Sequence, residues 1–158
     1  METKPDVITV NGIPIVVANF NWSVGFQMEK FLKALATKKI LAAKCPECGY
    51  IYVPARNRCG KCSAKMEEKD LVEISGKGTL VSYTLAYVAL DGKGNWTDLE
   101  KPKIIGAIKL NEANSTIFMP LEEIDYPNLK IGMLMEPAWN SETKGGWKDL
   151  KYMKPAKA

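Results

Sequence analysis

Four cysteines in two matched pairs constrain this chain more than anything else in it. Cys45-Pro46-Glu47-Cys48-Gly49 and Cys59-Gly60-Lys61-Cys62-Ser63 form a C-x2-C-x10-C-x2-C array. That spacing lets two tight turns aim four thiolates at one metal ion from tetrahedral directions. Four sulfurs leave no open coordination position, so the expected role of the ion is structural, one per chain. Zinc is the favoured ion, and iron is the alternative because an all-sulfur tetrahedron serves either. Gly49 and Gly60 are expected to supply the special backbone angles of the two turns and to leave amides free for the sulfurs. The spacer, residues 50–58, predicts a short hairpin or loop.

The absence of histidine from all 158 residues removes a Ser-His-Asp triad, a Cys-His dyad, an imidazole ligand and the commonest general base near neutral pH. The formal charge of +4, from 22 basic and 18 acidic residues, is spread along the chain. It is too diffuse for a dedicated nucleic-acid binder, yet it suits an anionic ligand such as a phosphorylated cofactor. No apolar run approaches the roughly 20 residues that span a bilayer, and Met1-Glu2-Thr3-Lys4-Pro5-Asp6 lacks the layout of a signal peptide. The expected location is the cytoplasm, with no membrane partner, where cysteines serve as ligands or thiols and not as disulfides.

Around the cysteine array the hydrophobic periodicity changes twice. Residues 8–17 carry two β-branched runs on either side of Asn11-Gly12, a hairpin signal, with Pro14 implying an edge strand. Ser23 is the expected N-cap of a helix over residues 24–37, in which Met28, Phe31, Leu32 and Leu35 share one face and Lys38 and Lys39 close the negative end. From Val72 onward the chain reads as short β-rich runs at residues 78–90, 103–110, 116–120, 133–139 and 147–152. Five strands in so short a stretch predict a small closed barrel of the OB type. The polar stretches 91–102 and 140–146 are expected as long loops of the kind that meet partners or ligands. The predicted fold is mainly β with an N-terminal helix. Residues 1–43 form a hairpin arm and helix, 44–70 a rubredoxin-like zinc ribbon, 71–153 a five-stranded OB-fold barrel and 154–158 a tail.

This layout resembles a family of acyl-CoA-associated proteins that join a rubredoxin-like zinc ribbon to an OB-fold. The resemblance is carried by the helix, the four cysteines, Pro54-Ala55-Arg56 between the knuckles, Ser75-Gly76-Lys77-Gly78-Thr79-Leu80-Val81-Ser82-Tyr83-Thr84, and Ile131-Gly132-Met133. It covers about residues 22–153. It implies a small accessory subunit, not catalytic on its own, that partners a thiolase-like chain carrying the reactive cysteine and helps to form a shared CoA or acyl-CoA site. Within the family the chain looks most like the branch that accompanies benzoylsuccinyl-CoA thiolases of anaerobic toluene degradation. Ala55 and Gly60, where many members have proline, and the aromatic Ala138-Trp139-Asn140 depart from the pattern.

CoA carries phosphates and a long pantetheine arm, so basic and aromatic residues near mobile segments are the candidates to meet it. Arg56, Arg58 and Lys61 around the ribbon come first, then Trp96 and Lys101 in the first barrel loop. Arg56 occupies the family's Pro-x-Arg position. Trp139 and Trp147 either reach toward a partner or fill the barrel. The alternative reading is a nucleic-acid-binding module, with Tyr83, Tyr87, Phe118 and Tyr152 stacking bases. Glu122, Glu123, Asp125, Asp91 and Asp98 interrupt the basic groove that this would need. An iron-bearing electron carrier is a third class, and the visible colour of an iron-thiolate site separates it from zinc.

Overall fold

The computed structural model describes residues 23–90 and 95–156, and the hairpin expected at residues 8–17 lies outside them. Helix α1 (Phe26–Leu35) forms where the 3.6-residue period places its apolar stripe. Phe31 and Leu35 are fully buried, and Met28 and Leu32 pack half-buried beside them. The helix is shorter than residues 24–37. Gly25, at φ 81, holds the N-cap position, while Ser23 Oγ accepts only the Gly25 N–H, one residue too early to cap the free first turn. At the other end Lys38 turns left-handed at φ 59 and Lys39 pairs with Glu73 at 2.8 Å. Lys33 is the basic residue of the last helical turn, and Lys38 and Lys39 follow just beyond the helix end, their N–H groups donating to the Leu35 and Ala34 carbonyls.

The turn after α1 leads into β1 (Ile40–Lys44), the central strand of a three-stranded antiparallel sheet ordered β2-β1-β3, with β2 (Ile51–Tyr52) and β3 (Leu71–Ile74) at its edges. Ala43 pairs with Tyr52 on one side, and Ile40 with Ile74 on the other. Ala42 and Ala43 are fully buried, and α1 packs against this strand.

Five more strands, β4 (Gly78–Leu90), β5 (Trp96–Leu110), β6 (Thr116–Leu121), β7 (Leu134–Trp139) and β8 (Leu150–Pro155), close into a barrel ordered β4-β5-β6-β8-β7. This is the five-stranded OB-type barrel that the β-rich runs predict. Alternation is clearest in β6, where Ile117, Met119 and Leu121 point inward and Thr116, Phe118 and Pro120 outward. Leu80, Ile108, Leu110, Met119, Met135 and Met153 fill the interior.

Two expected boundaries are corrected. β5 begins at Trp96, not at residue 103, so most of the predicted long loop is strand, with Val88 opposite Asp98 and Leu90 opposite Trp96. Its charges and Pro102 read as loop because no face of this projecting arm is a core face, and proline is tolerated on an edge. The last strand begins at Leu150 because residues 147–149 form a 3-10 turn. The carboxylate of Asp149, which is buried, organises that turn by accepting the N–H groups of Lys144, Gly145 (2.7 Å) and Gly146 (3.1 Å).

Residues 140–146 therefore do not hang free as a ligand loop. Thr143 Oγ1 donates to the Ala36 carbonyl at 2.6 Å, and the Trp147 ring lies 5.6 Å from that of Phe31. This stretch fastens the helix to the barrel. A second joint fastens the ribbon, where Ile51 N–H donates to Asn114 Oδ1 at 2.9 Å and Val53 N–H to Ser115 Oγ at 2.8 Å. Asn114 and Ser115, in the β5–β6 turn, thus serve β2 as a further strand would.

Two outcomes follow from this packing. A Cβ at Gly78 would sit 2.5 Å from the Lys109 carbonyl oxygen and 2.9 Å from Leu110 Cα, both backbone. Gly78→Ala is expected to lower stability toward the upper end of the roughly 1–3 kcal/mol typical of overpacking, as read by urea unfolding. For Asp149, burial raises the carboxyl pKa, but the Lys144, Gly146 and Gly145 amides outweigh it and hold the value below the ordinary one. The stabilisation is complete above the unfolded pKa, about 3.9, and is lost as pH falls through the folded one. Asp149→Asn should lower the melting temperature at pH 7, and the gap to wild type should narrow as the pH is taken below about 4.

Candidate metal centre

β1 delivers Cys45 at its end, and each knuckle then closes in the same way. Cys45 N–H donates to the Tyr50 carbonyl at 2.8 Å and Gly49 N–H to the Cys45 carbonyl at 2.9 Å. In the second turn Cys59 N–H donates to Ala64 at 2.9 Å and Ser63 N–H to Cys59 at 3.0 Å. The fifth residue of each turn is left-handed, Gly49 at φ 70 and Ser63 at φ 61. Gly49 plays the expected part, but Gly60 does not, since the left-handed residue of the second knuckle is Ser63. What Gly60 contributes is its N–H, donated to the Tyr52 hydroxyl at 2.9 Å.

The four sulfurs all lie within 4.8 Å of one another, with 3.5 Å between Cys45 and Cys62 and between Cys48 and Cys59. Zinc–sulfur bonds of 2.3 Å in a tetrahedron put sulfurs about 3.8 Å apart, so the cluster fits a structural zinc ion. Cys45 and Cys59 are buried, Cys48 half-buried and Cys62 exposed. Cys59 Sγ is the best served of the four. The Tyr52 hydroxyl lies 3.4 Å away, and the Lys61 and Cys62 N–H groups point at it from 3.3 and 3.5 Å. The Tyr52 hydrogen bond above all, with those two amides and against burial, holds the Cys59 thiol down to about 5.

The candidate contact residues fall into two groups. Arg56 stacks its guanidinium over the Tyr52 ring, 4.7 Å from the centroid, and Arg58 Nη1 donates to the Ser63 carbonyl at 3.1 Å. Lys61 sits exposed on the second knuckle. The two arginines are thus braced on the ribbon while remaining exposed to solvent. Trp96, 67% exposed, and Lys101 lie on the β5 arm of the barrel and not in a loop. Trp139 is half-buried against the core, and Trp147 rests on Phe31 of α1.

Tyr52 was not legible as a functional residue. An aromatic two residues before Pro54 in a ribbon spacer reads as packing, and only the fold shows its hydroxyl bridging Gly60 and Cys59. Gln27 is similar. Its N–H donates to Asn57 Oδ1 at 3.2 Å and its side chain to the Met66 carbonyl at 3.1 Å, pinning α1 to the ribbon from inside an otherwise apolar stripe.

Comparison with known proteins agrees with this geometry. Residues 32–67 match the rubredoxin-like zinc ribbon domain of ChsH2, and residues 71–140 match the ChsH2 C-terminal OB-fold domain. A DUF35 domain-containing scaffold protein of Methanocaldococcus jannaschii is 29% identical over 109 residues, covering 68% of this chain and 72% of that protein. Its counterpart in Methanothermobacter thermautotrophicus is 24% identical over 107 residues, 68% of this chain and 76% of the relative. Among solved structures, a DUF35-family protein of unknown function from Sulfolobus solfataricus superposes with a TM-score of 0.59 at 28% identity, over 81% of this chain and 84% of that one. A structure described as an Ltp2-ChsH2(DUF35) aldolase superposes with a TM-score of 0.62 at 19% identity, over 87% of this chain and 100% of the compared chain.

Tyr52→Phe removes the hydroxyl that links Gly60 to the Cys59 sulfur and leaves the four ligands in place. Zinc affinity should fall by about 10–100-fold, the usual effect of losing such an outer partner. Competition against a chromophoric chelator measures it, and affinity within a factor of two of wild type would show that the hydroxyl is dispensable.

Proposed function

The chain belongs to the ChsH2/DUF35 family of zinc ribbon plus OB-fold proteins, and from that premise we propose that it is a non-catalytic scaffold subunit of a thiolase-like acyl-CoA enzyme. The observation that carries this reading is that all four cysteines of the chain converge on one closed metal site, in a chain without histidine. A thiolase reaction needs a nucleophilic cysteine, a base and an oxyanion hole, and here the thiols are committed to structure. Those groups must come from a partner. The archaeal relatives are described as scaffold proteins, and the ChsH2 domain of the solved complex accompanies an Ltp2 aldolase.

On this reading the exposed cations Arg56 and Arg58 of the spacer and Lys61 of the second knuckle face the phosphates of CoA or acidic residues of the partner, and Trp96 and Lys101 meet the partner from the arm. The shared ligand is CoA or acyl-CoA. The substrate proposed for the first assay is benzoylsuccinyl-CoA, from the branch that the sequence resembles most. The proposed location is the cytoplasm, and among the described residues no helix is long and apolar enough to cross a membrane.

The experiment is isolation of the tagged chain from its native cells, with mass spectrometry of what accompanies it and metal analysis of the eluate. The expected result is a thiolase-like protein in near-equal amount, one zinc per chain, and CoA-dependent carbon–carbon cleavage of a 3-oxoacyl-CoA only when both subunits are present. A chain that elutes alone, or with nucleic acid, overturns the proposal, and the second outcome promotes the base-stacking alternative.

A further inference from the structure

The projecting hairpin formed by β4 and β5 has two outer edges, and they are built differently. On β5 the arm carries Asp98, Glu100, Lys101, Pro102 and Lys103, the charges and proline that protect an unpaired edge from other strands. β4 runs from Gly78 to Leu90 as Gly-Thr-Leu-Val-Ser-Tyr-Thr-Leu-Ala-Tyr-Val-Ala-Leu, with no charge and no proline. Yet β4 pairs with β7 only at Gly78 and Thr79, and its last backbone bonds on that side are made by Leu80. From Val81 onward no strand covers this edge among the described residues.

The bare edge has a regular centre. The β4–β5 register shifts twice, between Leu80 and Ser82, where Val81 is the extra residue, and between Ala86 and Val88, where the extra residues lie on β5. Between the two shifts residues 82–86 pair without a break with residues 103–107 of β5. Five residues is an ordinary strand length. Ser82 and Thr84 are exposed and short, so a backbone can approach. Val81 and Tyr87, which bracket the stretch, are 39% and 59% exposed and stand as apolar anchors at either end.

We propose that residues 82–86 of β4 are a docking template for an extended, uncharged segment of the thiolase-like catalytic subunit, which adds as a strand to the open seam of the barrel. The proposal rests on the accessory-subunit reading and names where that partner binds. The occupant follows from the edge itself. Its unpaired N–H and C=O groups ask for a backbone, its lack of charge asks for an uncharged one, and the protection of the opposite edge shows that the exposure is not general to the arm.

Strand addition leaves a signature that mere covering does not, because only every second residue of an edge points its amide outward. Amide hydrogen exchange, read residue by residue on the complex isolated through the tagged chain, should show alternate amides in residues 82–86 slowed by about tenfold or more against the chain alone. The double variant Ser82→Lys with Thr84→Lys, checked for unchanged zinc content and melting temperature, should weaken the complex by about tenfold or more. A complex in which these amides exchange as fast as in the free chain overturns the template and leaves the accessory-subunit reading standing. Failure to form any complex with a thiolase-like subunit overturns both. Protection that is present in the chain alone and grows with its concentration assigns the edge to a second copy and overturns the proposed occupant. Should the double variant fail to fold, the exchange pattern of the unmodified complex decides.

Discussion

Convergence of four cysteine sulfurs on one metal position is the interaction from which the rest of the architecture hangs. A sheet of five, two and four residues is too small to hold itself by backbone pairing, and the two-residue β2 in particular has no independent reason to stay where it is. A metal bound to Cys45 and Cys48 on one side and to Cys59 and Cys62 on the other fixes the loop that contains β2 at both ends. Because ligands must be brought together by folding, the metal's binding free energy becomes folding free energy. Once β2 is fixed, Ile51 within it and Val53 just after it present backbone donors and acceptors to Asn114 and Ser115 of the barrel, so the constraint passes from the metal to the second domain through main-chain groups of the spacer.

A second path runs through the helix. α1 is held to β1 by Phe31 and Leu35, to the ribbon by Gln27, and to the barrel by the residue 140–146 stretch folded around Asp149. A buried carboxylate is costly unless its acceptors are filled, and here consecutive backbone amides fill them. The carboxylate is therefore the organising centre of a loop that would otherwise have only glycine, lysine and polar side chains to shape it. Helix, ribbon and barrel are tied pairwise. The long strands β4 and β5 alone extend past these ties.

How much of this was readable without coordinates depended on whether the controlling signal was periodic. The cysteine spacing and the i, i+3, i+4, i+7 stripe of α1 are periodic, and the helix face and metal ligands follow from them. The runs of β4 and β6, with their Val, Ile and Thr residues, announce themselves because one side of each is core. The outer half of β5 has no core side, so Asp98, Glu100, Lys101 and Pro102 carried a loop's composition on a strand's backbone. Ser63 defeats the glycine rule for a different reason. Two backbone hydrogen bonds of the knuckle hold its left-handed angle, and a small polar residue accepts the strain that the rule assigns to glycine. Tyr52 and Asp149 were hidden because their importance lies in one hydroxyl and one carboxylate meeting backbone amides from elsewhere, which no pattern along the chain records.

The same contrast bears on how, on the proposed function, a subunit with its thiols committed to structure contributes to a reaction. With the metal site closed and the barrel filled, such a subunit acts through its surface, and the described residues show two patches of opposite character. The arginines of the ribbon keep their charge in water while Tyr52 and the Ser63 carbonyl restrain them. Such exposed cations steer and orient an anionic ligand or an acidic patch, and they contribute more to rate and selectivity than to holding strength. The β4 edge has no field to act at a distance, but it offers main-chain hydrogen bonds whose partners must be another backbone in register. On the proposed function the two surfaces divide the work, with charge bringing CoA and partner into position and backbone pairing setting how long they stay. An edge designed only to stay soluble would have been built like that of β5. The cost of leaving β4 bare is an aggregation hazard in the free chain, and a protein carries that cost where a partner strand routinely removes it.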